Sequence, residues 1–293
     1  IILIGGSGFL GSHIADALSD AGHLVSIFDN RESPYLRDDQ KMIVGDILNS
    51  AEVRKAVKGV NVVYHLAALA DLDDAQNRPY DTMQINVIGN ILLLDAVREY
   101  NIGRVIFAST IYVNSSTGSF YRISKHACEL LYEEYQNRYD VNYTILRFGT
   151  LYGSRSDETN SIYRYLQQSL IEKRIKGIGD GQEVREYIHV EDAAKISVKV
   201  MAPEFANETL ILTGHHRMRL YELMEMINEI MGNTLEIQYG SGNESHYHYT
   251  PYSFTPRAGK KIVMNTYNDL GQSLLQMLNE IRNHQNPVEE LKL

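Results

Sequence analysis

Short apolar segments alternate with helical patterns along the first half of the chain. Leu10, Ile14, Ala17 and Leu18 recur at helical spacing, and Gly22 offers a stop for that helix. The apolar segments have the length and the β-branched content of buried strands, and they read IILIG, LVSIFD, KMIVGD, VNVVYHLAA, RVIFAST and NYTILRFG. Strands that alternate with helices predict right-handed βαβ units and a doubly wound parallel sheet of the α/β class.

The pattern changes after residue 152. A polar segment, GSRSDETNS, precedes another helical pattern, and a Met-rich amphipathic segment, LYELMEMINEIMG, follows later. Methionines at helical spacing indicate core packing rather than a cofactor site. We therefore expect residues 1–152 to form one domain, to which residues 184–212 return. Residues 153–183 and 213–293 are expected to form a smaller α/β substrate-binding lobe.

Composition excludes several classes of protein. The chain has 293 residues, 44% of them hydrophobic, and its formal charge of −9 with no basic stripe argues against a nucleic-acid partner. Its apolar runs are far shorter than the roughly 20 residues of a membrane-spanning helix, so no membrane partner is expected. No signal-type sequence is visible. The single cysteine, Cys128, excludes an intrachain disulfide and fits a reducing compartment, which predicts a cytoplasmic protein.

A glycine-rich turn follows the first predicted strand. The segment GGSGFLG places Gly5, Gly8 and Gly11 before a helix whose amino end would offer N–H groups to a pyrophosphate. The second strand ends in Asp29, where a carboxylate would accept hydrogen bonds from an adenosine ribose. That carboxylate would repel a 2′-phosphate and so favours NAD over NADP, although Arg31 lies nearby. Alternatively, the glycines form a plain turn and Asp29 is an ordinary loop carboxylate. The occurrence of strand, glycines, helix and acid in this order favours the cofactor site.

A tyrosine and a lysine stand one helical turn apart in SFYRISKHACELL. A phenol with a pKa near 10 accepts protons poorly at neutral pH, and the ammonium of Lys125 on the same helix face would stabilise the phenolate of Tyr121. Beside a nicotinamide, such a pair would remove a hydroxyl proton while hydride leaves the same carbon. A surface tyrosine that happens to precede a lysine is the alternative. The position after the fifth strand favours catalysis, with Ser109 or Thr110 as the third participant.

Together these segments resemble the extended short-chain dehydrogenase/reductase family, in its NAD-dependent epimerase/dehydratase branch. The resemblance is carried by GGSGFLGSHIADAL, FDN, GDI, HLAA, INVIGNILLLDA, YRISK, LRFGTLYG and REYIHVEDAA. It implies a Rossmann-type domain that binds NAD, and a nucleotide-diphosphate sugar as substrate. It also implies a homodimer built on a four-helix bundle, to which ILLLDAV and an exposed face with Leu131, Tyr132 and Tyr135 would contribute. A monomeric core is the alternative.

The resemblance also assigns roles to individual residues. Thr110, Tyr121 and Lys125 match the catalytic set. The implied substrate contacts are Thr150, which stands where asparagine is usual, and Arg185 and Arg257, which could instead be ordinary surface charges. No metal is expected, because the histidines, including HYH at 246–248, lack a carboxylate or cysteine cluster at ligand spacing. Besides Tyr121 and Lys125, the implied cofactor contacts are Gly5, Gly8, Phe9, Leu10, Gly11, Asp29, Asn30, Asp46, Ile47, Leu66, Ala67 and Ala68.

Within the family, the residues after the catalytic threonine separate the possible reactions. Dehydratases carry Asp and Glu there, whereas this chain has Ile111 and Tyr112, which disfavours dehydration. Asp29 favours an enzyme that recycles NAD over a reductase that consumes NADPH. We therefore predict a nucleotide-sugar epimerase that acts at C4 through transient hydride transfer and a keto-sugar. A 4-keto-sugar reductase or dehydratase remains open, and so does a non-catalytic NAD-binding sensor, because the segment between Thr110 and Tyr121 is short.

Overall fold

A seven-stranded parallel sheet forms the centre of the fold. The computed structural model describes residues 1–115, 118–177, 179–214, 216–240 and Leu275. In these ranges the strands are β1 (Ile2–Ile4), β2 (Val25–Asp29), β3 (Gln40–Val44), β4 (Val62–His65), β5 (Arg104–Thr110), β6 (Tyr143–Phe148), β7 (Thr150–Tyr152), β8 (Arg174–Lys176), β9 (Val184–His189), β10 (Glu208–Leu212), β11 (His216–Arg219) and β12 (Glu236–Gln238).

Helices connect these strands. They are α1 (Phe9–Asp20), α2 (Ser50–Val57), α3 (Leu72–Asn77), α4 (Pro79–Met83), α5 (Gly89–Glu99), α6 (Ser119–Tyr139), α7 (Ser161–Ile171), α8 (Val190–Lys199) and α9 (Leu220–Ile230). A π-helical turn, Gln84–Ile88, leads directly into α5, and short 3₁₀ turns span Ile111–Asn114 and Pro203–Phe205. Across the described ranges, none of the helices is both long and apolar enough to cross a membrane.

The large sheet has the strand order β10–β6–β5–β4–β1–β2–β3, and all of its pairings are parallel. The prediction of a doubly wound parallel sheet is therefore confirmed. The chain winds outward in one direction from β1 to β3 and in the other from β4 to β10. An open α/β sheet binds ligands outside the carboxyl ends of its strands at such a reversal, which here lies between β1 and β4.

Alternation along the strands divides the core into two layers. Ile2 and Ile4 face a layer that also contains Leu93 and Leu94 of α5, whereas Leu3 faces the opposite layer with Ile14 of α1. Helices α2, α5 and α6 cover the first face, and α1 and α8 cover the second. Because both faces of the sheet are covered, its central strands are apolar almost throughout. This is why the sequence shows them as short continuous hydrophobic runs.

Helix α6 buries Tyr132, a residue that was predicted to lie at the surface. Tyr132 was expected on an exposed face, but it is completely buried, and its hydroxyl donates to Asn90 Oδ1 over 2.8 Å. The cause is helical periodicity, since Lys125, Cys128 and Tyr132 form one stripe that packs on the sheet. Leu131 and Tyr135 lie beside this stripe and are partly buried against the same core. The prediction that this helix exposes Tyr132 is therefore wrong.

The polypeptide beyond β6 builds two smaller sheets. Strands β11, β9 and β7 form a three-stranded sheet, and β12 pairs with β8. Met224 of α9 is fully buried in a small core with Tyr165, Ile175, Leu220 and Ile227, which agrees with a packing role for that methionine. The elements from β1 to β12 belong to one compact unit. The division into a cofactor domain and a substrate-binding lobe stays a prediction.

Candidate active site

A cleft with a volume of about 920 Å³ opens at the carboxyl edge of the large sheet. Six parallel strands contribute to its walls, at their ends or directly after them, through Ile4, Asp29, Gly45, Leu66, Thr110 and Phe148 among others. This is the edge at which the strand order reverses. The fold therefore collects side chains that are far apart in sequence around one concave surface.

The three predicted glycines have different surroundings. Gly5 has φ +86°, and a Cβ on it would lie 2.3 Å from the backbone nitrogen of Ala67, so no side chain fits between β1 and the loop after β4. A Cβ on Gly11 would lie 2.6 Å from the carbonyl oxygen of Gly5. A Cβ on Gly8, which lines the cleft, would meet no atom within 4 Å. Gly8 thus leaves room for a ligand, whereas Gly5 and Gly11 leave room for the protein's own backbone.

The amino end of α1 faces this free space. Gly8 is the N-cap residue and has no side chain to cap the helix, and Phe9, Leu10 and Gly11 of the first turn also line the cleft. Uncapped N–H groups and the helix dipole favour an anion at this position. The arrangement fits a dinucleotide pyrophosphate.

Two alanine substitutions separate these roles. We expect Gly8→Ala to melt at the wild-type temperature but to bind NAD at least about tenfold more weakly, because the methyl group occupies ligand space. Gly11→Ala should instead lower the unfolding free energy by about 1–3 kcal/mol through overpacking. Thermal melts and calorimetric NAD titration of cofactor-free protein measure both effects. Equal NAD affinity in wild type and Gly8→Ala would contradict this placement of the pyrophosphate.

The acidic residue after β2 is held in place by the same turn. Asp29 Oδ2 accepts a hydrogen bond from the backbone N–H of Ser7 over 3.0 Å, and the hydroxyl of Ser7 donates to the carbonyl of Arg31. Asp29 is thereby fixed at the cleft wall. Every residue predicted to contact the cofactor lines this cleft, a set that comprises Gly5, Gly8, Phe9, Leu10, Gly11, Asp29, Asn30, Asp46, Ile47, Leu66, Ala67, Ala68, Tyr121 and Lys125.

Tyr121 and Lys125 meet at the opposite wall, on the first two turns of α6. Lys125 is 3% exposed, and its Nζ donates to the carbonyl oxygen of Ala108 over 2.7 Å. The same Nζ lies 4.6 Å from the ring centroid of Phe107 and 5.7 Å from that of Tyr121. The ammonium is therefore fixed between the end of β5 and the phenol ring.

Burial lowers the pKa of Lys125 to about 8, although the nearby Cys128 and Glu129 act to raise it. The amine is therefore protonated at neutral pH and begins to lose its charge about one unit above it. Burial, with a smaller contribution from the Lys125 charge, lowers the pKa of His65 to about 3. His65 is therefore neutral, and Lys125 supplies the positive charge beside the phenol. A cation at this distance favours the phenolate form of Tyr121.

The structure distinguishes the two hydroxyls at the end of β5. Ser109 donates its hydroxyl to the buried carboxylate of Glu129. Thr110 Oγ1 accepts a hydrogen bond from the backbone N–H of Tyr112 over 3.3 Å, and Thr110 lines the cleft together with Tyr121. A hydroxyl that already accepts one bond keeps its own proton for a ligand oxygen. Thr110 is therefore the better candidate for the third catalytic position.

Asn86 was not singled out from the sequence, although it lies in the quoted segment INVIGN. It is 2% exposed on the π-helical turn, where its side chain accepts from the Leu69 N–H over 2.7 Å and donates to Ser124 Oγ over 2.9 Å. Ser124 Oγ in turn donates to the carbonyl of Tyr121. Asn86 thus ties the cleft wall after β4 to the helix that carries Tyr121. The sequence did contain one signal for Asn86, which is a polar amide inside an otherwise apolar helical repeat. The structure adds that this repeat includes a π-helical turn, and such turns are frequent near functional sites.

Of the predicted substrate contacts, neither Thr150 nor Arg185 lines the cleft. Thr150 begins β7 and pairs with Tyr187 of β9, and it is not among the lining residues. Arg185 is 4% exposed, its Nη1 lies 3.3 Å from Ser161 Oγ, and its Nη2 lies 3.7 Å from a carboxylate oxygen of Glu183. Arg257 lies outside the described residues. The roles of these three residues stay predictions.

Within the described ranges, no group of three or more His, Cys, Asp or Glu side chains is arranged to hold a metal ion. The HYH segment at 246–248 lies outside those ranges.

Comparison with known proteins agrees with this geometry. Residues 1–211 match the sequence profile of the NAD dependent epimerase/dehydratase family. A putative UDP-glucose 4-epimerase from Methanocaldococcus jannaschii is 27% identical, over 97% of this chain and 99% of that protein.

Two solved structures have similar folds. The UDP-N-acetylglucosamine 4-epimerase of Methanobrevibacter ruminantium M1, in complex with UDP-N-acetylmuramic acid, is 27% identical with a TM-score of 0.73, over 82% of this chain and 84% of that one. The UDP-glucose 4-epimerase of Thermotoga maritima, with UDP-glucose, is 23% identical with a TM-score of 0.77, over 84% of this chain and 87% of that one. With the profile match over 211 of 293 residues, the chain belongs to the NAD-dependent epimerase/dehydratase family.

Proposed function

We propose that the protein is an NAD-dependent nucleotide-sugar 4-epimerase. The observation that carries this proposal is one cleft that contains both the uncapped glycine turn before α1 and the Tyr121–Lys125 pair with Thr110. A site for a dinucleotide and a site for proton transfer at an alcohol are thus combined in one cavity. The nucleotides named for the relatives above support a UDP-sugar as the substrate.

The chain's own groups account for the proton chemistry. Thr110 holds the sugar 4-hydroxyl, and Tyr121 takes its proton. Lys125 keeps the phenolate accessible near neutral pH by its positive charge. After the sugar has turned about its diphosphate linkage, Tyr121 returns the proton to the oxygen. Net epimerisation requires this turn, so the sugar itself must be held more loosely than the nucleotide.

The residues around the cleft fit NAD as the cofactor. The first turn of α1 would hold its pyrophosphate, Asp29 its adenosine ribose, and Lys125 its nicotinamide ribose. When bound, NAD supplies an acceptor for hydride from the sugar carbon and a donor that returns it. The carboxylate of Asp29, fixed by the N–H of Ser7, opposes the additional phosphate of NADP.

The segment after Thr110 argues against dehydration. Ile111 is 4% exposed and apolar, and the 3₁₀ turn that it begins, Ile111–Asn114, contains no carboxylate. Loss of water from a sugar requires a base at the adjacent carbon and an acid for the leaving hydroxyl. The described part of this turn provides neither, which favours epimerisation.

The test combines cofactor identification with a substrate panel. Denatured protein should release one equivalent of NAD. Native protein should interconvert one pair of C4 epimers in a panel of UDP-, GDP-, CDP- and dTDP-sugars, followed by the anomeric NMR signals, without net change in NADH absorbance.

The other outcomes identify the rivals. Stoichiometric consumption of NAD(P)H with a 4-keto-sugar indicates a reductase. Formation of a dehydrated keto-sugar indicates a dehydratase. Retained NAD with no conversion of any sugar indicates a cofactor sensor and counts against the proposal.

We propose a homodimer built on α5 and α6. Apolar side chains remain exposed along the adjoining π-helical turn and α6, where Ile88 is 43%, Ile123 43% and Leu130 53% exposed. Burial of such a surface against a second copy would form a four-helix bundle. Light scattering should give twice the chain mass of 33.3 kDa, and a monomeric mass that persists at high concentration would contradict the dimer.

We also propose a cytoplasmic location. Cys128 is a free, buried thiol, which suits a reducing compartment. Cell fractionation with an antibody to the protein checks this. Recovery in the secreted fraction would contradict it.

A further inference from the structure

An ion pair between a buried Glu129 and a partly buried Arg147 lies one helical turn beyond Lys125. Glu129 of α6 is 4% exposed, and Arg147 of β6 donates to both of its oxygens, from Nε over 3.0 Å and from Nη2 over 2.6 Å. The hydroxyl of Ser109 donates to the same carboxylate. Three donors on one carboxylate fix its position.

Two features relate this cluster to Lys125 and Thr110. Glu129 follows Lys125 by four positions, so the two side chains share one face of α6. Ser109 stands in β5 between Ala108, whose carbonyl accepts the bond from Lys125 Nζ, and the catalytic candidate Thr110. Glu129 is therefore related to Lys125 by the shared face of α6 and, through Ser109, by the end of β5.

We propose that Glu129 is a positioning residue for the catalytic pair. Its carboxylate, braced by Arg147 and Ser109, keeps Lys125 in the ammonium form and bonded to the Ala108 carbonyl. The effect on turnover rests on the proposed epimerase function, whereas the effect on Lys125 does not.

Burial disfavours the charge of Lys125, so an anion nearby would stabilise it. Burial also raises the pKa of the Cys128 thiol to about 12, so that group is neutral at pH 7 and cannot serve as the anion. His65, which faces the cluster from β4, is neutral as well. The charged or titratable groups around Lys125 are Tyr121, Cys128 and Glu129 of α6 and His65 of β4, and Arg147 of β6 is bound to Glu129. Among these groups, Glu129 carries the one carboxylate.

Glu129→Gln tests the proposal, because it preserves the shape and an acceptor for Ser109 but removes the charge. The measurement is an NMR titration of NAD-bound protein labelled at lysine ¹³Cε, in which the Lys125 signal is assigned by its loss in Lys125→Met. We expect Glu129→Gln to lower the titration midpoint of Lys125 by about 0.5–1 pH unit. The alkaline limb of kcat/KM should move to lower pH by the same amount. Glu134→Gln, which removes the carboxylate of the exposed pair with Arg138 on the same helix, should shift neither.

A second background protects the test against loss of folding, since Glu129→Gln leaves the charge of Arg147 without its partner. In Arg147→Met, which removes that charge, the addition of Glu129→Gln should again lower the Lys125 midpoint. A purely structural role predicts a lower melting temperature and uniformly lower kcat, with the Lys125 midpoint unchanged in both backgrounds. That result would overturn the proposal. Because the NMR titration does not depend on turnover, it decides the matter even if no sugar is epimerised.

Discussion

Tyr121→Phe is expected to lower kcat by about 10³-fold or more while the protein still folds and binds NAD. The substitution removes only the phenolic oxygen, which is the group that we propose takes and returns the sugar proton. General acid–base groups contribute about 10²–10⁴-fold to catalysis, and in a 4-epimerase the same oxygen acts twice in each turnover. The ring itself, which lies 5.7 Å from Lys125 Nζ, remains in place.

Steady-state kinetics of the epimerisation, melting temperature and cofactor content are the measurements for this variant. Tyr139→Phe is the matched control, because Tyr139 ends the same helix and is 46% exposed. It should retain wild-type kcat. Retention of more than about a tenth of kcat by Tyr121→Phe would exclude Tyr121 as the group that moves the proton.

Lys125→Met is expected to abolish epimerisation and, at pH 7, to increase the unfolding free energy of the cofactor-free protein. Burial lowers the pKa of Lys125 from 10.5 to about 8, which corresponds to about 3 kcal/mol against holding the charge in the folded state. Loss of the donor to the Ala108 carbonyl offsets about 1–2 kcal/mol of that gain. We therefore expect a net increase of about 1–2 kcal/mol.

The pH dependence of this gain has a definite sign. Between about pH 8 and 10.5 the unfolded chain keeps the proton of Lys125 and the folded protein does not, so this group raises the stability of the wild type as pH increases. The advantage of Lys125→Met should therefore be largest below pH 8, fall to zero between about pH 9 and 10, and change sign above that, where the lost hydrogen bond to Ala108 remains as a net cost.

Urea unfolding at several pH values measures the stability of this variant. Cofactor-free protein is required, because NAD that binds only the folded wild type would add to its stability. Lys55→Met, at an exposed position on α2, is the control and should be neutral. A Lys125→Met variant that is less stable than wild type at every pH would contradict a destabilising buried charge.

Much of the fold could be predicted because its signals are local. The central strands β1, β4, β5 and β6 are short apolar runs that are buried almost throughout, and Gly5 stands where the backbone of Ala67 leaves no room for a side chain. Tyr121 and Lys125 were also recognisable, since their relation is a spacing within one helix. The predicted family and its NAD-binding fold are accordingly confirmed.

Other features depended on contacts between distant segments. Tyr132 was predicted to lie with Leu131 and Tyr135 on an exposed helix face, whereas packing of α6 on the sheet buries it against Asn90 and His65. Asn86 joins the loop after β4 to α6, and Arg147 reaches Glu129 from β6. No spacing in the sequence indicates such pairs.

The sequence by itself determined the parallel sheet, the glycine turn and the Tyr121–Lys125 spacing, since each follows from residues close together along the chain. Only the tertiary structure showed that the hydroxyl of Ser109 is bonded to Glu129, whereas that of Thr110 accepts a backbone N–H at the cleft. It also decided that Lys125 is buried beside that carboxylate. The physical reason is that hydrogen-bond partners and desolvation are set by neighbours in space, and in a doubly wound sheet those neighbours come from separate strands and helices.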